Sequence, residues 1–398
     1  MPGFELFGDK EKEQVNEVLE SGVLMRYGFD GMRNGHWKAK ELEKALEERM
    51  GVNHAQLVSS GTAALTVALA SAGVGAGHEV ILPTFTFVAS FEAVLSVGAI
   101  PILVDVDDTL TLDPVAVEKA ITNRTKVVMP VHMCGSTADL APLKSICTKH
   151  DLILLEDACQ AIGGSYEGKP LGSYGDLGCF SFDYVKTITC GEGGAVITNN
   201  KDYYINADQY SDHGHDHIGN YRGAEGHPIL GYNYRISELH AAVGLAQIAR
   251  LDDFIGIQKK NYTILRSALE KIPEVTFRRV PENGVENYSF LNFYMPTEEL
   301  ARQTIKTLSD NGVDACFYWY DNNWHYYRKW DHLKDLKSLG PVANLIKDAM
   351  PDYHKSDFSR SDHWVGRNIS CLIKLGWTAE EVSERAKTMS ESIRSVLG

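Results

Sequence analysis

The chain has 398 residues and a net charge of −14, with 53 acidic and 39 basic side chains. That length exceeds the size at which one hydrophobic core stops growing, so we expect a large domain with a smaller partner. The acidic balance disfavours nucleic acid and anionic membrane surfaces as partners, because both require clustered cations. The acidic N-terminus and the lack of a long apolar run predict a cytoplasmic protein whose cysteines are reduced.

Helical periodicity at residues 10–21 and 38–50 predicts two N-terminal helices, and an Ala-rich run from Thr62 predicts a third. Short apolar segments then alternate with helical ones as far as residue 199. The segments that read as strands are "EVILPTF", "AIPILVDVD", "TKVVMPVHM", "LILLEDA", "GCFSFDY" and "GGAVITN". This alternation is typical of an α/β fold with a mostly parallel sheet covered by helices on both faces.

The character of the sequence changes between residues 250 and 275. A long helical segment ends near Pro273, and strand-like "YSFLNFYMP" is followed by helix-like "EELARQTIKTLSDNG" and a terminal helix. We therefore expect a large domain over residues 1–255 and a smaller α+β domain over residues 256–398.

Lys186 lies between an alternating aromatic run and a glycine cluster in "FSFDYVKTITCGEGG". This pattern predicts the exit of a strand into a turn, with neighbours that look buried. Buried lysines are rare because desolvating an ammonium group is costly, and those that persist usually have a chemical role such as Schiff-base formation. The alternative is a structural lysine whose stem follows apolar surface while its ammonium reaches water.

Asp157 ends the apolar run "LILLED", and ligands of open α/β sheets bind at the carboxyl ends of strands. A carboxylate at that position can pair with the ring nitrogen of pyridoxal phosphate and maintain the ring as an electron sink. Glu156 is expected on the opposite face of the strand. A solvated strand end is the alternative interpretation.

Ser60, Gly61 and Thr62 precede the Ala-rich helix in "SSGTAAL". Free N–H groups and the helix dipole at such an N-terminus favour a phosphate, and glycine allows a close approach of the backbone. Ser and Thr also cap ordinary helices, so this motif becomes informative only in its order with Asp157 and Lys186.

Together these motifs resemble the pyridoxal-phosphate-dependent sugar aminotransferases of the DegT/StrS family, which have the fold type I aminotransferase architecture. The similarity runs in family order through "SGTAAL", "LPTFTFVAS", "PVHMCG", "EDACQAIGG", "FSFDYVKTITCGEGG" and "GYNYRISELHAA". The resemblance implies pyridoxal 5'-phosphate held covalently by Lys186, with Asp157 on its ring nitrogen. It also implies cofactor contacts by Gln160 near the 3-hydroxyl, by Phe87 against the ring, and by Ser60, Gly61, Thr62 and Ser181 around the phosphate.

The resemblance also implies the reaction and the assembly. Asn233 would reach the phosphate of a neighbouring subunit, which implies a homodimer with a shared active site. An amino group would pass from L-glutamate to a keto sugar. The pattern is most similar to enzymes that make 8-amino-3,8-dideoxy-manno-octulosonate for lipopolysaccharide, so the expected acceptor is the 8-oxo form of 3-deoxy-manno-octulosonate. A nucleotide-linked 4-keto-6-deoxy sugar is the alternative acceptor, and a non-catalytic regulator that binds the cofactor is a second alternative.

The segment "VLMRYGFDGMRNGHWKAKELE" is the first candidate for substrate contacts, through Arg26, Tyr27 and Arg33. Arg26 or Arg33 would suit a substrate carboxylate, because a guanidinium group can donate two parallel hydrogen bonds. Both arginines could instead solvate a loop or pair across a dimer.

Two later segments supply further candidate substrate contacts. His213 and His217 lie in "SDHGHDHIGNYRG", and Tyr320, Trp324 and His325 lie in the aromatic stretch "CFYWYDNNWHYYRKW". Histidines at a spacing of two would share one face of an extended strand. We nevertheless expect no metal there, because neither a carboxylate nor a cysteine completes a tight ligand set.

Overall fold

The computed structural model describes residues 2–219 and 221–398. Its strands are, in chain order, β1 (His54–Val58), β2 (Glu79–Pro83), β3 (Ile100–Val104), β4 (Thr125–Val128), β5 (Ile153–Asp157), β6 (Ser165–Tyr166), β7 (Lys169–Pro170), β8 (Leu177–Ser181), β9 (Gly194–Thr198), β10 (Thr276–Phe277), β11 (Gly284–Val285), β12 (Phe290–Tyr294), β13 (Cys316–Phe317) and β14 (Asn368–Leu372).

The α-helices are α1 (Asp9–Ser21), α2 (Lys38–Met50), α3 (Gly61–Ser71), α4 (Val88–Ser96), α5 (Pro114–Ala120), α6 (Leu140–His150), α7 (Lys201–Ser211), α8 (Glu238–Ile248), α9 (Leu251–Leu269), α10 (Glu298–Asp310), α11 (Asp331–Lys334), α12 (Asn344–Ala349), α13 (Ser359–Val365) and α14 (Ala379–Leu397). Short 3-10 helices cover Gly3–Leu6, Asp30–Met32, Met133–Gly135, Arg222–Ala224, Trp319–Asp321 and Tyr327–Lys329. Among the described residues, no helix is long and apolar enough to cross a membrane.

The described residues contain a seven-stranded sheet in the order β1-β9-β8-β5-β4-β2-β3. The pairings of β3 with β2, β2 with β4, β4 with β5, and β5 with β8 are parallel, whereas β9 runs antiparallel to both β8 and β1. Strands β2 and β8 are buried at every position, as expected for strands covered by helices on both faces. The predicted α/β fold with a mostly parallel sheet is confirmed.

The sequence missed some boundaries of these elements. Strand β1 was not predicted, and β8 ends at Ser181 rather than at Tyr184. The long helical segment near residue 250 is two helices, because Arg250 leaves helical geometry between α8 and α9. Helix α3 begins as predicted, with the Ser60 hydroxyl accepting a hydrogen bond from the Ala63 N–H.

Helix α9 joins the two parts of the chain. Leu251 and Phe254 pack in the core beneath the large sheet, whereas Leu265 and Leu269 pack in a second core with the four-stranded sheet β10-β12-β14-β13. The proposed division between residues 255 and 256 therefore falls inside a continuous helix. It remains a proposal.

Part of the segment assigned by sequence to the small domain packs in another core, together with residues of the large sheet's covering helices. Tyr326, Trp330, Tyr353 and Phe358 belong to the hydrophobic cluster that includes α3 and α4. The Tyr353 hydroxyl accepts a hydrogen bond from the Leu103 N–H at 3.0 Å. This return of the chain brings residues near 325 to the carboxyl ends of the parallel strands.

Candidate active site

The carboxyl end of β5 places Asp157 in a buried position, with 4% of its surface exposed. Its Oδ2 accepts a 2.8 Å hydrogen bond from the Ser90 hydroxyl, and its Oδ1 accepts one from the Cys159 N–H at 3.2 Å. Within residues 2–219 and 221–398, no cationic side chain forms an ion pair with Asp157. A buried carboxylate that has hydrogen-bond donors but no counter-charge is suited to a cationic group of a ligand.

Glu156 points away from Asp157, as predicted, and fixes the neighbouring backbone. Its two oxygens accept hydrogen bonds from the N–H groups of Gly172, Tyr174 and Gly175 at 2.7 to 2.9 Å. His132 Nε2 lies 2.9 Å from Glu156 Oε2. Because His132 Nδ1 accepts the Ala138 N–H, the proton of a neutral ring is on Nε2 and is donated to Glu156. This network could not be predicted from the sequence, because its partners are distant along the chain.

Lys186 lies in a turn just beyond β8, as predicted. Its N–H donates to the Asp183 carbonyl at 3.0 Å, and its own carbonyl accepts a hydrogen bond from the Gly3 N–H at 2.9 Å. The expectation of buried neighbours is wrong for the two residues before it, since Tyr184 is 54% exposed and Val185 is 51% exposed. The sequence also missed the N-terminal segment that contacts this turn.

Lys186 and Asp157 both affect the pKa of the Cys159 thiol. Burial raises the pKa of Cys159, the Asp157 carboxylate raises it further, and the Lys186 ammonium opposes them. The two residues predicted to hold the cofactor from opposite ends therefore both influence the Cys159 side chain.

The rings of Phe87, Trp324 and His325 form a cluster in the site region. The Phe87 ring lies 5.3 Å from the His325 ring and 5.9 Å from the Trp324 ring. The backbone N–H groups of Thr86 and Val88 donate to the carbonyls of His325 and Trp324, at 3.0 and 2.7 Å, and tie the two segments together. His325, one of the predicted substrate contacts, is thus held beside the predicted stacking residue Phe87.

The imidazole of His325 is neutral. Burial lowers its pKa to about 3, and the Lys186 charge acts in the same direction. His325 Nδ1 lies 2.9 Å from Asn322 Oδ1, which can only accept, so Nδ1 carries the proton. The unprotonated Nε2 is therefore a hydrogen-bond acceptor.

The N-terminus of α3 approaches β8 closely. A Cβ added at Gly61 would lie 2.7 Å from Ser181 Cβ, so only glycine fits between helix and strand. Ser60 caps the helix and Thr62 is exposed at its first turn. This arrangement of glycine, hydroxyl groups and free helical N–H groups suits a phosphate.

Gln160 is oriented by its neighbours. Its side-chain oxygen accepts a hydrogen bond from the Cys134 N–H at 2.9 Å, and its backbone carbonyl accepts one from the Asn287 side chain at 2.9 Å. With its oxygen engaged in this way, the Gln160 side chain can offer its NH2 group as a hydrogen-bond donor. Pyridoxal phosphate fits this set of residues, because an uncompensated carboxylate, a phosphate-type helix terminus and a nearby lysine match its ring nitrogen, phosphate and aldehyde.

The arrangement does not favour the predicted role of the two arginines. Arg26 is 4% exposed, forms an ion pair with Glu43 and donates to Gln56 Oε1 at 3.2 Å. Arg33 is 1% exposed, lies 3.3 Å from Glu238 and donates to backbone carbonyls within its own segment. Both guanidinium groups thus have partners within the chain, and these contacts do not support binding of a substrate carboxylate by either one.

Tyr27 and His217 form a pair of their own. Their rings stack at 4.2 Å, and the Tyr27 hydroxyl donates to Asp208 at 2.8 Å. His213 is exposed, and both His213 and His217 have positive φ, so the segment is not the extended strand that would align the histidines. The pair joins the N-terminal segment to the loop after α7.

Tyr320 and Asn233 lie elsewhere on the surface of the site region. Tyr320 stacks on Tyr326 at 5.4 Å and is flanked by the guanidinium groups of Arg302 and Arg328. Asn233 is exposed, and its side-chain oxygen accepts a hydrogen bond from the Arg235 N–H. An exposed position is compatible with a contact to a second subunit.

Comparisons with known proteins agree with this geometry. The model of the DegT/DnrJ/EryC1/StrS aminotransferase family matches residues 6–350. The chain is 37% identical over 307 residues to a GDP-perosamine synthase of Escherichia coli O157:H7, covering 77% of this chain and 80% of that protein. It is 36% identical over 324 residues to 3-amino-5-hydroxybenzoate synthase of Amycolatopsis mediterranei (strain S699), covering 79% and 80% of the two chains.

Solved structures share the whole fold. An aminotransferase from Psychrobacter cryohalolentis superposes with a TM-score of 0.86 at 25% identity, covering 98% of each chain. The crystal structure of 3-amino-5-hydroxybenzoic acid synthase superposes with a TM-score of 0.81 at 30% identity, covering 98% of this chain and 97% of that one. The predicted fold type I architecture is confirmed. The chain belongs to the DegT/DnrJ/EryC1/StrS aminotransferase family and is a pyridoxal-phosphate-dependent aminotransferase.

Proposed function

We propose that this aminotransferase moves the amino group of L-glutamate to the carbonyl carbon of a keto sugar, with Lys186 and Asp157 as its catalytic residues. The observation that carries the proposal is the buried Asp157 carboxylate, which has no ion-pair partner among the described residues and lies close to the same thiol as Lys186. Bound pyridoxal phosphate supplies an electron sink for the negative charge that develops at the substrate carbon.

Lys186 is proposed to hold the cofactor aldehyde at rest and to move a proton at the substrate carbon during turnover. An amine can serve as acid and base for the same atom when its position is fixed. The turn that carries Lys186 is held by hydrogen bonds to Asp183 and Gly3. These backbone hydrogen bonds support a fixed position for the Lys186 side chain.

Asp157 is proposed to keep the cofactor ring nitrogen protonated. The Ser90 hydroxyl and the Cys159 N–H hold its two oxygens, which supports a fixed orientation of the carboxylate. Neutral His325 adds no second positive charge beside Lys186, and its Nε2 can accept a hydrogen bond from a sugar hydroxyl.

The proposed acceptor is the 8-oxo form of 3-deoxy-manno-octulosonate. This choice depends on the resemblance of the sequence pattern, since Arg26 and Arg33 are engaged internally and lend it no support. A nucleotide-linked keto sugar is the second candidate. It is favoured by similarity to GDP-perosamine synthases, including one of Caulobacter vibrioides at 42% identity over 221 residues.

We also propose a homodimer in which Asn233 reaches the partner's cofactor phosphate. Large apolar side chains are exposed on two segments that Tyr27 and His217 hold together. These side chains are Phe29, Met32, Ile218, Tyr221, Leu230 and Tyr232, and Leu230 is 89% exposed. Exposed apolar groups on two segments that contact each other suggest a protein interface. A monomeric mass by light scattering at micromolar concentration would contradict this part of the proposal.

A parallel assay tests the function. The protein is loaded with pyridoxal phosphate and supplied with L-glutamate and either the 8-oxo octulosonate or a nucleotide-linked 4-keto-6-deoxy sugar. Release of 2-oxoglutarate and formation of the amino sugar are measured by mass spectrometry. Lys186→Ala should abolish transfer, whereas Lys201→Ala, at an exposed lysine on α7, should retain it. Failure with every keto sugar would refute the function, and preference for the nucleotide-linked sugar would replace only the acceptor.

A further inference from the structure

Two cysteines face each other across neighbouring strands of the four-stranded sheet. Cys316 on β13 is in register with Cys371 on β14, and the strands are antiparallel. The Leu372 N–H donates to the Ala315 carbonyl at 2.9 Å, so the ladder bond joins the residues that flank this pair. Cys316 and Cys371 are therefore a non-hydrogen-bonded pair.

This type of pair brings two side chains closest together. Opposite residues at non-hydrogen-bonded positions have Cα atoms about 4.5 Å apart and side chains on the same face. Cysteines joined by a disulfide have Cα atoms roughly 4.4 to 6.8 Å apart. The backbone at Cys316 and Cys371 thus already has a spacing that a disulfide accepts, and the strands need not separate.

The two thiols have different environments. Cys371 is fully buried, whereas Cys316 is partly exposed at the start of β13. The Arg385 guanidinium Nη2 lies 3.9 Å from Cys316 Sγ. A hydrogen bond with Cys371 and the positive charge of Arg385 lower the pKa of Cys316, although burial acts in the other direction. A thiolate is the nucleophile in disulfide exchange, so Cys316 is the thiol that reacts first.

The other cysteines lack this combination. Burial raises the pKa of Cys134, Cys147, Cys159, Cys179 and Cys190. In the large sheet, Cys179 on β8 is paired with Val196 and not with another cysteine. Selectivity for one pair among the seven cysteines is therefore expected.

We propose that Cys316 and Cys371 are a thiol pair that forms a reversible intramolecular disulfide on exchange with a low-molecular-weight disulfide. The Cys316 thiolate attacks one sulfur of that disulfide, forms a mixed disulfide and releases one thiolate. Cys371 then loses its proton and attacks Cys316 Sγ, which forms the Cys316–Cys371 bond and releases the second thiolate. The protein loses two electrons and two thiol protons, and the small disulfide is reduced to two thiols.

Thiol mapping of the cofactor-loaded protein tests this proposal. The protein is incubated with oxidised glutathione near pH 8, quenched in acid, denatured and titrated for free thiols. The number of thiols should fall from seven to five. Peptide mapping should find one linkage, between Cys316 and Cys371, and dithiothreitol should restore all seven thiols. This measurement uses the unaltered chain and so does not depend on whether a variant folds.

Two variants sharpen the test. Cys371→Ser should leave Cys316 capped by one glutathione, because the second attack has no nucleophile. Cys147→Ser, at a buried cysteine on α6, should form the same disulfide as the unaltered chain. Retention of all seven thiols in the unaltered chain, a stable glutathione adduct on Cys316 there, or earlier oxidation of another cysteine would each overturn the proposal.

Discussion

The Ser90 hydroxyl donates a 2.8 Å hydrogen bond to Asp157 Oδ2, although 67 residues separate the two along the chain. Thr86 Oγ1 lies 2.6 Å from the same hydroxyl, and both hydroxyl residues are buried. Helix α4 therefore contributes, through its first turn, to the orientation of a carboxylate on β5. A buried hydrogen bond to a charged group contributes about 1.5 to 3 kcal/mol.

Ser90→Ala removes this donor and leaves the Asp157 carboxylate less constrained. We expect kcat to fall about tenfold, which corresponds to roughly 1.4 kcal/mol of transition-state stabilisation, with little change in the KM for L-glutamate. Steady-state kinetics with saturating cofactor measure kcat and the KM for L-glutamate separately. Ser96→Ala, at the other end of α4, removes hydroxyl contacts to Thr66 and Ala93 and should leave kcat unchanged. Equal losses in the two variants would contradict a specific role of Ser90.

Gly61→Ala should weaken cofactor binding. Its Cβ would lie 2.7 Å from Ser181 Cβ, and neither atom is the end of a flexible side chain, so the N-terminus of α3 must shift. A displacement of the phosphate-binding N–H groups should raise the dissociation constant of pyridoxal phosphate about tenfold or more, or roughly 1.4 kcal/mol. Titration of cofactor-free protein by absorbance measures it. Gly256→Ala, on α9 with open space around the new methyl, is the matched control, and a similar loss there would argue against the phosphate assignment.

Glu156→Gln should destabilise the fold. The carboxylate accepts three backbone N–H groups and the His132 Nε2–H, whereas a carboxamide offers one accepting oxygen and turns an NH2 group toward buried donors. Leaving buried donors unsatisfied costs about 1 to 3 kcal/mol for each group. Urea unfolding should show a loss of roughly 3 kcal/mol. Glu20→Gln, at an exposed position on α1, should change stability by less than about 0.5 kcal/mol.

Much of the site was predictable because its signals are local. A strand that ends in Asp157, a turn that holds Lys186 and a glycine at a helix N-terminus are each read from a few adjacent residues. Their order along the chain then identified the family. Short apolar runs that alternate with helical segments likewise predicted most strands of the large sheet, including the strand that ends at Asp157.

Other features depend on partners that only the folded chain brings together. Arg26 looked available for a substrate because its partner Glu43 lies on a helix whose buried face the sequence does not reveal. The exposure of Tyr184 follows from the turn beyond Ser181, which an alternating aromatic pattern does not predict. The sequence also did not show that one helix, α9, spans the proposed boundary near residue 255 and contributes its two ends to different cores.

Arg26→Met tests whether Arg26 has a structural role or contacts the substrate. Removal of one member of a buried ion pair leaves Glu43 without its partner, so we expect a loss of about 3 to 5 kcal/mol in unfolding free energy. The double variant Arg26→Met/Glu43→Leu should recover most of that loss. In both, the KM for the keto sugar should remain near the unaltered value. A large rise in this KM in the folded double variant would restore Arg26 as a substrate contact.

His325 should make stability depend on pH in a defined window. The pKa of His325 is about 3 in the folded protein and about 6.5 in the unfolded chain. Between these pH values the unfolded chain therefore binds more protons than the folded protein. The unfolding free energy should therefore rise with pH from 3 to 6.5, by at most about 1.4 kcal/mol per pH unit, and His325 should contribute no further change above 6.5. Urea unfolding at a series of pH values measures the slope.

Substitution separates this contribution from that of the acidic groups. His325→Gln cannot titrate and should reduce the slope between pH 4 and 6, whereas His332→Gln, at an exposed histidine, should leave it unchanged. Because His325 is already neutral at pH 6 to 9, its protonation should not produce the acid limb of the rate profile. Loss of that limb in His325→Gln would mean that the imidazole is protonated beside Lys186, which conflicts with its burial and with the nearby positive charge.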